Sequence, residues 1–255
     1  MLLAIDIGNS KIAFGVFEAE KLRTTLYIAT GIHRLVDEYA SLLFNLLPHH
    51  NVEKDDIQEA IMCSVVPPLV PVFQELCQRY LGVPLLAVEP GVKTGVRIRL
   101  DNPREVGCDR IVNAAAAYQL YGGPAIVIDM GTATTFDVIS KEGDYLGGAI
   151  APGMEIATEA LYTHTARLPR IELSRPQNAI GKNTVSAMQS GVIFGYTGLV
   201  ESLVARLTQE LGERAKVVAT GSYAEDIAKE TEVIEIVNPH LTLFGLQLIH
   251  ELNKY

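Results

Sequence analysis

Two aspartates, each leading into a turn of small and hydroxyl residues, are the positions in this chain best suited to chemistry. Asp6 closes the apolar run LLAID and is followed by Gly8, Asn9 and Ser10; Asp129 closes AIVID and is followed by Gly131, Thr132, Ala133 and Thr134. Glycine lets backbone come close to an anion, while hydroxyl side chains and turn N–H groups donate hydrogen bonds to phosphate oxygens. A carboxylate at a strand end can hold a cation, or a cation-bound water, that offsets phosphate charge. One such corner alone is an ordinary hairpin with good turn chemistry. Two copies, about half the chain apart and each flanked by β-prone runs, suggest a duplicated fold. Its two turns are expected to face one another across a cleft that holds a nucleotide.

The elements that position these turns follow from periodicity. Residues 1–30 alternate like two or three antiparallel strands, and residues 33–47 carry a helical stripe of Leu35, Val36, Tyr39, Leu42, Leu43 and Leu46. AIMCSVVP reads as a buried strand ended by Pro67-Pro68, followed by a helix through Val72, Phe73, Leu76 and Tyr80 and by the strand PLLAVEPG. A long connection reaches Asp109, which sits where the helix DRIVNAAAAYQLYG starts. In the second half, Gly147, Gly148, Pro152 and Gly153 punctuate YLGGAIAPGM ahead of a helix near 155–163. The helix from about 184 to 211 has one apolar face of Val185, Met188, Val192, Leu199 and Leu203 and a second of Ile193, Phe194, Val200 and Val204. That pattern fits either core on one face with a partner subunit on the other, or a central helix within one domain. Strand, turn and helix in KVVATGSYAEDIA and a closing helix LTLFGLQLIHELN complete an α/β protein with a mixed sheet in each half. The boundary is expected near Tyr121 to Pro124, giving halves 1–122 and 123–255.

Composition narrows the partners. A chain of 255 residues can bury a substantial core or hold two modest domains. No apolar run approaches a bilayer span, and MLLAID lacks the basic start of a signal peptide, so a cytoplasmic protein without a membrane partner is expected. A formal net charge of −9 argues against a nucleic-acid surface. Cys63, Cys77 and Cys108 are odd in number and widely spaced in sequence, which fits reduced thiols better than a disulfide or zinc framework. There is no G-x-x-x-x-G-K-[ST] loop, although Gly181-Lys182-Asn183-Thr184 echoes its end, and no G-x-G-x-x-G, protein-kinase or G-x-S-x-G signature. Nucleotide chemistry here must use the paired Asp-x-Gly turns.

The strings DNPREVGCDRIVNA, IDMGTATTFD, GGAIAPGM, ARLPRIEL, IGKNTVSAMQSGVIFGYTGLV and PHLTLFGL, in this order, closely resemble type III pantothenate kinases over essentially the whole chain. That family belongs to the actin-like, sugar-kinase and heat-shock ATPase superfamily. The resemblance implies duplicated actin-like (ribonuclease H-like) domains with a cleft between them. It also implies ATP-dependent phosphorylation of pantothenate to 4′-phosphopantothenate, the first step toward coenzyme A, with magnesium accompanying the ATP. By the same resemblance, Asp6, Ile7, Gly8, Asn9, Ser10, Lys11, Ile12 and Ala13 form the first phosphate loop and Thr132 belongs to the second. Asp129 matches the ligand of a monovalent cation, potassium or ammonium. Leu100 stands at a pantothenate-lining position, and Gly107, Cys108, Asp109 and Arg110 match the pantothenate-contacting stretch, with Asp109 as the catalytic base. Thr184 matches a contact supplied by the neighbouring subunit of a homodimer. Three positions depart from the family pattern: Lys11 where Asn is usual, Leu100 where Tyr is usual, and Ser222 where a second Gly is usual. A kinase for a related hydroxyl acceptor, and a nucleotide-binding regulatory accessory protein of the same fold, are the competing readings.

Overall fold

The structure, a computed structural model, describes residues 1–254. The chain divides into two compact units: Met1–Arg97 with Asp101–Gln119 and the segment from His240 onward, and Ile98–Leu100 with Leu120–Pro239.

In the first unit, β1 (Leu2–Ile7), β2 (Lys11–Glu18) and β3 (Lys21–Ala29) fold back as antiparallel hairpins. After α1 (Val36–Leu46), β4 (Glu59–Ser64) pairs parallel to the other side of β1. Helix α2 (Val70–Glu75) continues into a wide π-type turn over Leu76–Leu81, and β5 (Leu85–Ala87) then pairs parallel to β4. The sheet order is β3-β2-β1-β4-β5. Strand β1 is central and covered on both faces, which is why its sequence is a continuous apolar run and not an alternating one. One face packs Leu3, Ile5 and Phe14 against Tyr39, Leu43 and Phe73. Each such buried side chain contributes roughly 1.5–3 kcal/mol. Beyond a two-residue strand β6 (Arg97–Ile98), α3 (Cys108–Tyr121) covers the opposite face through Val112 and Ala115.

The second unit repeats the plan. Strands β7 (Ala125–Met130), β8 (Ala133–Ile139) and β9 (Asp144–Pro152) are antiparallel; β10 (Lys216–Gly221) and β11 (Ile236–Val237) add in parallel beyond β7. The order β11-β10-β7-β8-β9-β6 matches that of the first sheet strand for strand, with β6 added at the edge. Of the glycines expected to punctuate this region, Gly147 and Gly148 instead lie inside β9, which runs to Pro152, while Gly153 stands just past it at the start of the next helix. A Cβ at Gly148 would fall 1.6 Å from the Phe136 carbonyl oxygen, so glycine is what lets the two strands sit together there.

Helix α4 (Met154–Thr163) follows β9, and α5 (Thr184–Leu211) has the bounds its periodicity predicts. Asn183 caps α5 by accepting the Ser186 N–H at 2.9 Å, and Gly212, at φ +77°, ends it. The two apolar stripes expected on α5 belong largely to one broad buried face. Met188 is buried, Val192, Ile193, Val200 and Val204 lie in one core, and Phe194, Leu199 and Leu203 pack against that core. The exposed side presents Gly191, Gly195 and Gly198. After α6 (Ala224–Ala228) the chain ends in α7 (Leu241–Leu252). This last helix, placed by sequence in the 123–255 half, packs on β1, β2 and β4. Its Leu243, Leu246 and Ile249 share a buried cluster with Leu2, Ala4, Ile61 and Val112, so an apolar stripe finds the matching uncovered face of the first sheet. Among the described residues no helix is long and apolar enough to cross a membrane.

Candidate active site

In the first unit, β1 delivers Asp6 to a turn that is tied down from three directions. The Gly8 N–H donates to the Lys11 carbonyl at 3.0 Å, the Thr30 N–H to the Ser10 carbonyl at 3.1 Å, and the Thr30 hydroxyl to the Gly8 carbonyl at 2.7 Å. Asn9, Ser10 and Lys11 are exposed at the tip. Ile7, Ile12 and Ala13, expected in the same loop, turn their side chains into the core, so only their backbone remains for a ligand. The Lys11 ammonium lies 5.4 Å from the centroid of the Tyr27 ring.

Helix α3 begins beside this turn's aspartate. Asp109, in its first turn, accepts the Arg110 N–H at 2.8 Å. A Cβ on Gly107 would lie 2.4 Å from the same Asp109 oxygen, so the carboxylate occupies space that only glycine leaves open. Burial raises the Asp109 carboxyl above its ordinary range, while the N–H and charge of Arg110 pull it back. Asp6 is pushed up to about 6, first by burial and then by the negative charge of Asp109; the Cys63 thiol and Lys11 act the other way. Two carboxylates thus share one half-buried corner, and the charge of Asp109 makes the Asp6 proton harder to lose. Cys63, directly opposite Asp6 on β4, donates its S–H to Asp6 Oδ1 at 3.3 Å. The Ser64 N–H points at Cys108 Sγ from 3.1 Å. The thiols that sequence spacing separates are brought together at the Asp6–Asp109 corner.

In the second unit, Asp129 holds the position on β7 that Asp6 holds on β1, half-buried and next to last in the strand. Across the sheet it is paired with Thr220, as Asp6 is with Cys63. Gly221, at φ +92°, brings backbone against it: a Cβ there would lie 2.6 Å from the Met130 nitrogen and 2.7 Å from Asp129 Oδ1. The Ser222 N–H donates to the Met130 carbonyl at 3.1 Å. The turn that carries Thr132 is braced by Gly153, whose N–H donates to the Thr132 carbonyl at 3.1 Å. Any Cβ on Gly153 would fall 2.3 Å from the carbonyl oxygens of both Gly131 and Thr132. The Asp129 carboxylate offers hard oxygen at this place, amid close-packed backbone. Beside Tyr223 opens a pocket of about 280 Å³ walled by Glu155, Thr158, Tyr162, Arg170 and Leu173. The Tyr223 hydroxyl donates to Glu155 at 2.7 Å.

The expected site residues therefore fall into two groups. Asp6, Gly8, Asn9, Ser10, Lys11, Gly107, Cys108, Asp109 and Arg110 belong to the first unit; Leu100, Asp129, Thr132 and Thr184 belong to the second. Leu100 lies over Gly147, where a Cβ would meet it at 3.2 Å, and Thr184 is the exposed first residue of α5. Sequence reasoning missed Cys63 as the partner of Asp6, and Thr30 and Gly153 as the braces of the two turns. The parallel register of β4 on β1 reveals the first, and nothing local to those residues signals it.

Comparison with known proteins bears on the family and the fold. The sequence model of the type III pantothenate kinase family matches residues 2–206. A type III pantothenate kinase of Dehalococcoides mccartyi strain CBDB1 is 53% identical over 253 residues, covering 99% of this chain and 96% of that protein. Among solved structures, a protein of Campylobacter jejuni described as a Baf family transcriptional activator superposes with a TM-score of 0.63 at 22% identity, over 98% of each chain. The polyphosphate/ATP-glucomannokinase of Arthrobacter sp. strain KM does so with a TM-score of 0.52 at 13% identity, over 99% of each. These two likenesses concern the fold alone, two mixed sheets that share one strand order.

Proposed function

The chain belongs to the type III pantothenate kinase family, and from that premise we propose how its residues divide the work of the reaction. The reaction is ATP-dependent phosphorylation of pantothenate to 4′-phosphopantothenate, the entry step of coenzyme A synthesis. Phosphoryl transfer asks a protein mainly for positioning and charge stabilisation. Asp109 orients the primary hydroxyl of pantothenate and accepts its proton; Arg110, at the same helix start, suits the pantothenate carboxylate. The Gly8–Ser10 turn, with Lys11, and the Gly131–Thr132 turn each supply donors for phosphate oxygens. Asp129 would hold a potassium or ammonium ion, which neutralises phosphate charge when bound, and magnesium would arrive with ATP. The pocket beside Tyr223 suits the base of the nucleotide, since it adjoins the carboxyl end of parallel strand β10. A homodimer, with Thr184 serving the neighbour's pantothenate, and a cytoplasmic location complete the reading.

The observation that carries it is the Asp6–Asp109 corner, where a buried carboxylate with a raised pKa stands at a helix start beside a braced phosphate-type turn. The test is ADP release by purified protein with and without pantothenate, in potassium and in sodium buffer. Pantothenate-dependent release, stronger in potassium, is the expected result. Release that requires a different hydroxyl acceptor, or none with any acceptor, would overturn the assignment of roles.

A further inference from the structure

The Cys63–Cys108 pair has no part in the phosphoryl transfer just described, yet its chemistry is specific. Cys63 is fully buried near the end of β4, and Cys108 is half-buried as the first residue of α3. Both side chains belong to one buried cluster between β4 and α3, where Cys108 packs against the residues around Cys63. Cys108 Sγ also lies 3.1 Å from the Ser64 nitrogen and 3.2 Å from the Ser64 carbonyl oxygen, which ties it to the residue directly after Cys63. Cys63 in turn donates to Asp6. A disulfide asks that the two Cα atoms lie about 4.4–6.8 Å apart, and cysteines packed in one cluster on facing elements, one of them against the other's chain neighbour, are placed for that closure.

We infer that Cys63 and Cys108 are a paired oxidation site, closing to a reversible disulfide when the protein meets a peroxide. The order of events follows from exposure and electrostatics. Cys108 is the more accessible thiol, sits at the positive end of a 14-residue helix and faces a backbone N–H, all of which favour its thiolate. Its pKa is lowered by the Cys63 thiol and the Ser64 N–H, which outweigh burial and the charges of Asp109 and Asp6, while that of Cys63 is raised by its neighbour Cys108 and by burial. Cys108 thiolate attacks one peroxide oxygen, the O–O bond breaks, and the released hydroxide takes a proton to become water, leaving a sulfenic acid. Cys63 sulfur then attacks the sulfenic sulfur; the S–S bond forms, and the sulfenic hydroxyl leaves with the Cys63 proton as a second water. The two thiols lose two electrons and the peroxide gains them.

The consequence for the enzyme rests on the role proposed for Asp6 and Asp109. A disulfide removes the S–H that Asp6 accepts and ties the end of β4 to the first turn of α3, which carries Asp109 and Arg110. Phosphorylation should stop on oxidation and resume on reduction.

The chemical part is read without any kinase assay. Full-length protein treated with a few equivalents of hydrogen peroxide, then denatured, should show one titratable thiol in place of three, the survivor being Cys77. Non-reducing peptide mapping should give a Cys63–Cys108 cross-link that dithiothreitol removes. In Cys63→Ala the same treatment should leave Cys108 as a sulfenic acid that dimedone labels, and in Cys77→Ser the cross-link should form as in the parent. Three surviving thiols, a cross-link between separate chains, or direct over-oxidation of Cys108 in the parent protein would each overturn the inference. Formation of the cross-link without loss of pantothenate-dependent ADP release would instead count against the roles given to Asp6 and Asp109.

Discussion

Asp6 and Asp109 carry like charges into a half-buried corner, and each responds to a different substitution. Asp109→Asn keeps an oxygen for the Arg110 N–H and still fits beside Gly107, but cannot take a proton. Turnover is expected to fall by roughly 10²–10⁴ with the fold intact, and near-parental turnover in that variant would remove Asp109 from the base role. Because Asp6 titrates near 6 and the Asp109 carboxyl is also raised, the parent enzyme should lose activity as pH drops through about 6. A pH–rate profile flat down to pH 5 would contradict that. Asp6→Asn speaks to stability. The carboxyl is pushed from 3.8 when free to about 6 in the fold, so the folded state binds its proton more tightly. Its contribution is most favourable below 3.8 and is lost as pH rises through about 6. Above that, holding the carboxylate destabilises the fold by about 1–2 kcal/mol after allowance for its remaining solvent contact. Asp6→Asn should therefore raise the melting temperature of ligand-free protein by roughly 2–6 °C at pH 8, with the gain gone near pH 4, while abolishing activity. A melting temperature unchanged at pH 8 would show that burial does not strain this carboxylate.

At the scale of elements, the braces matter as much as the turns. Gly153→Val would drive a side chain into the carbonyls of Gly131 and Thr132, and the phosphate-type turn must move to admit it. The expected result is a destabilisation of about 1–3 kcal/mol and a KM for ATP raised at least tenfold, with the KM for pantothenate changed far less. Equal rises in both would place Gly153 in general packing only. The strands that carry Asp6 and Asp129 were legible because buried central strands read as unbroken apolar runs, and α5 because its stripe is long. Strand β9 was not, since Gly147 and Gly148 look like turn residues, whereas Gly148 is there to admit the Phe136 carbonyl. Cys63 escaped notice because its tie to Asp6 depends on parallel register between segments 57 residues apart, which no local pattern encodes.

At the scale of the whole molecule, the two sheets share one strand order, and their aspartates stand at equivalent places on it. Duplication was visible in sequence through those two strings, but the return of α7 to the first sheet was not, because an amphipathic helix does not say which face it will cover. If Thr184 serves a neighbouring subunit's pantothenate, then inactive Asp109→Asn chains mixed with inactive Thr184→Ala chains should regain activity. Mixed dimers would hold one site with both defects and one with neither. No recovery despite proven subunit exchange would rule that arrangement out. The return of α7 also orders events on the ribosome. The first sheet is made before the second, yet Leu2, Ala4, Phe17 and Ile61 wait for Leu243, Leu246 and Ile249, on a helix that emerges after the whole second unit. The second unit, complete at Pro239, can close while the older half still shows an apolar face to its surroundings. A chain halted after Pro239 should accordingly be held by chaperones that bind apolar surface, and the released full-length chain should not. The oldest part of the newborn protein is the last to be safe.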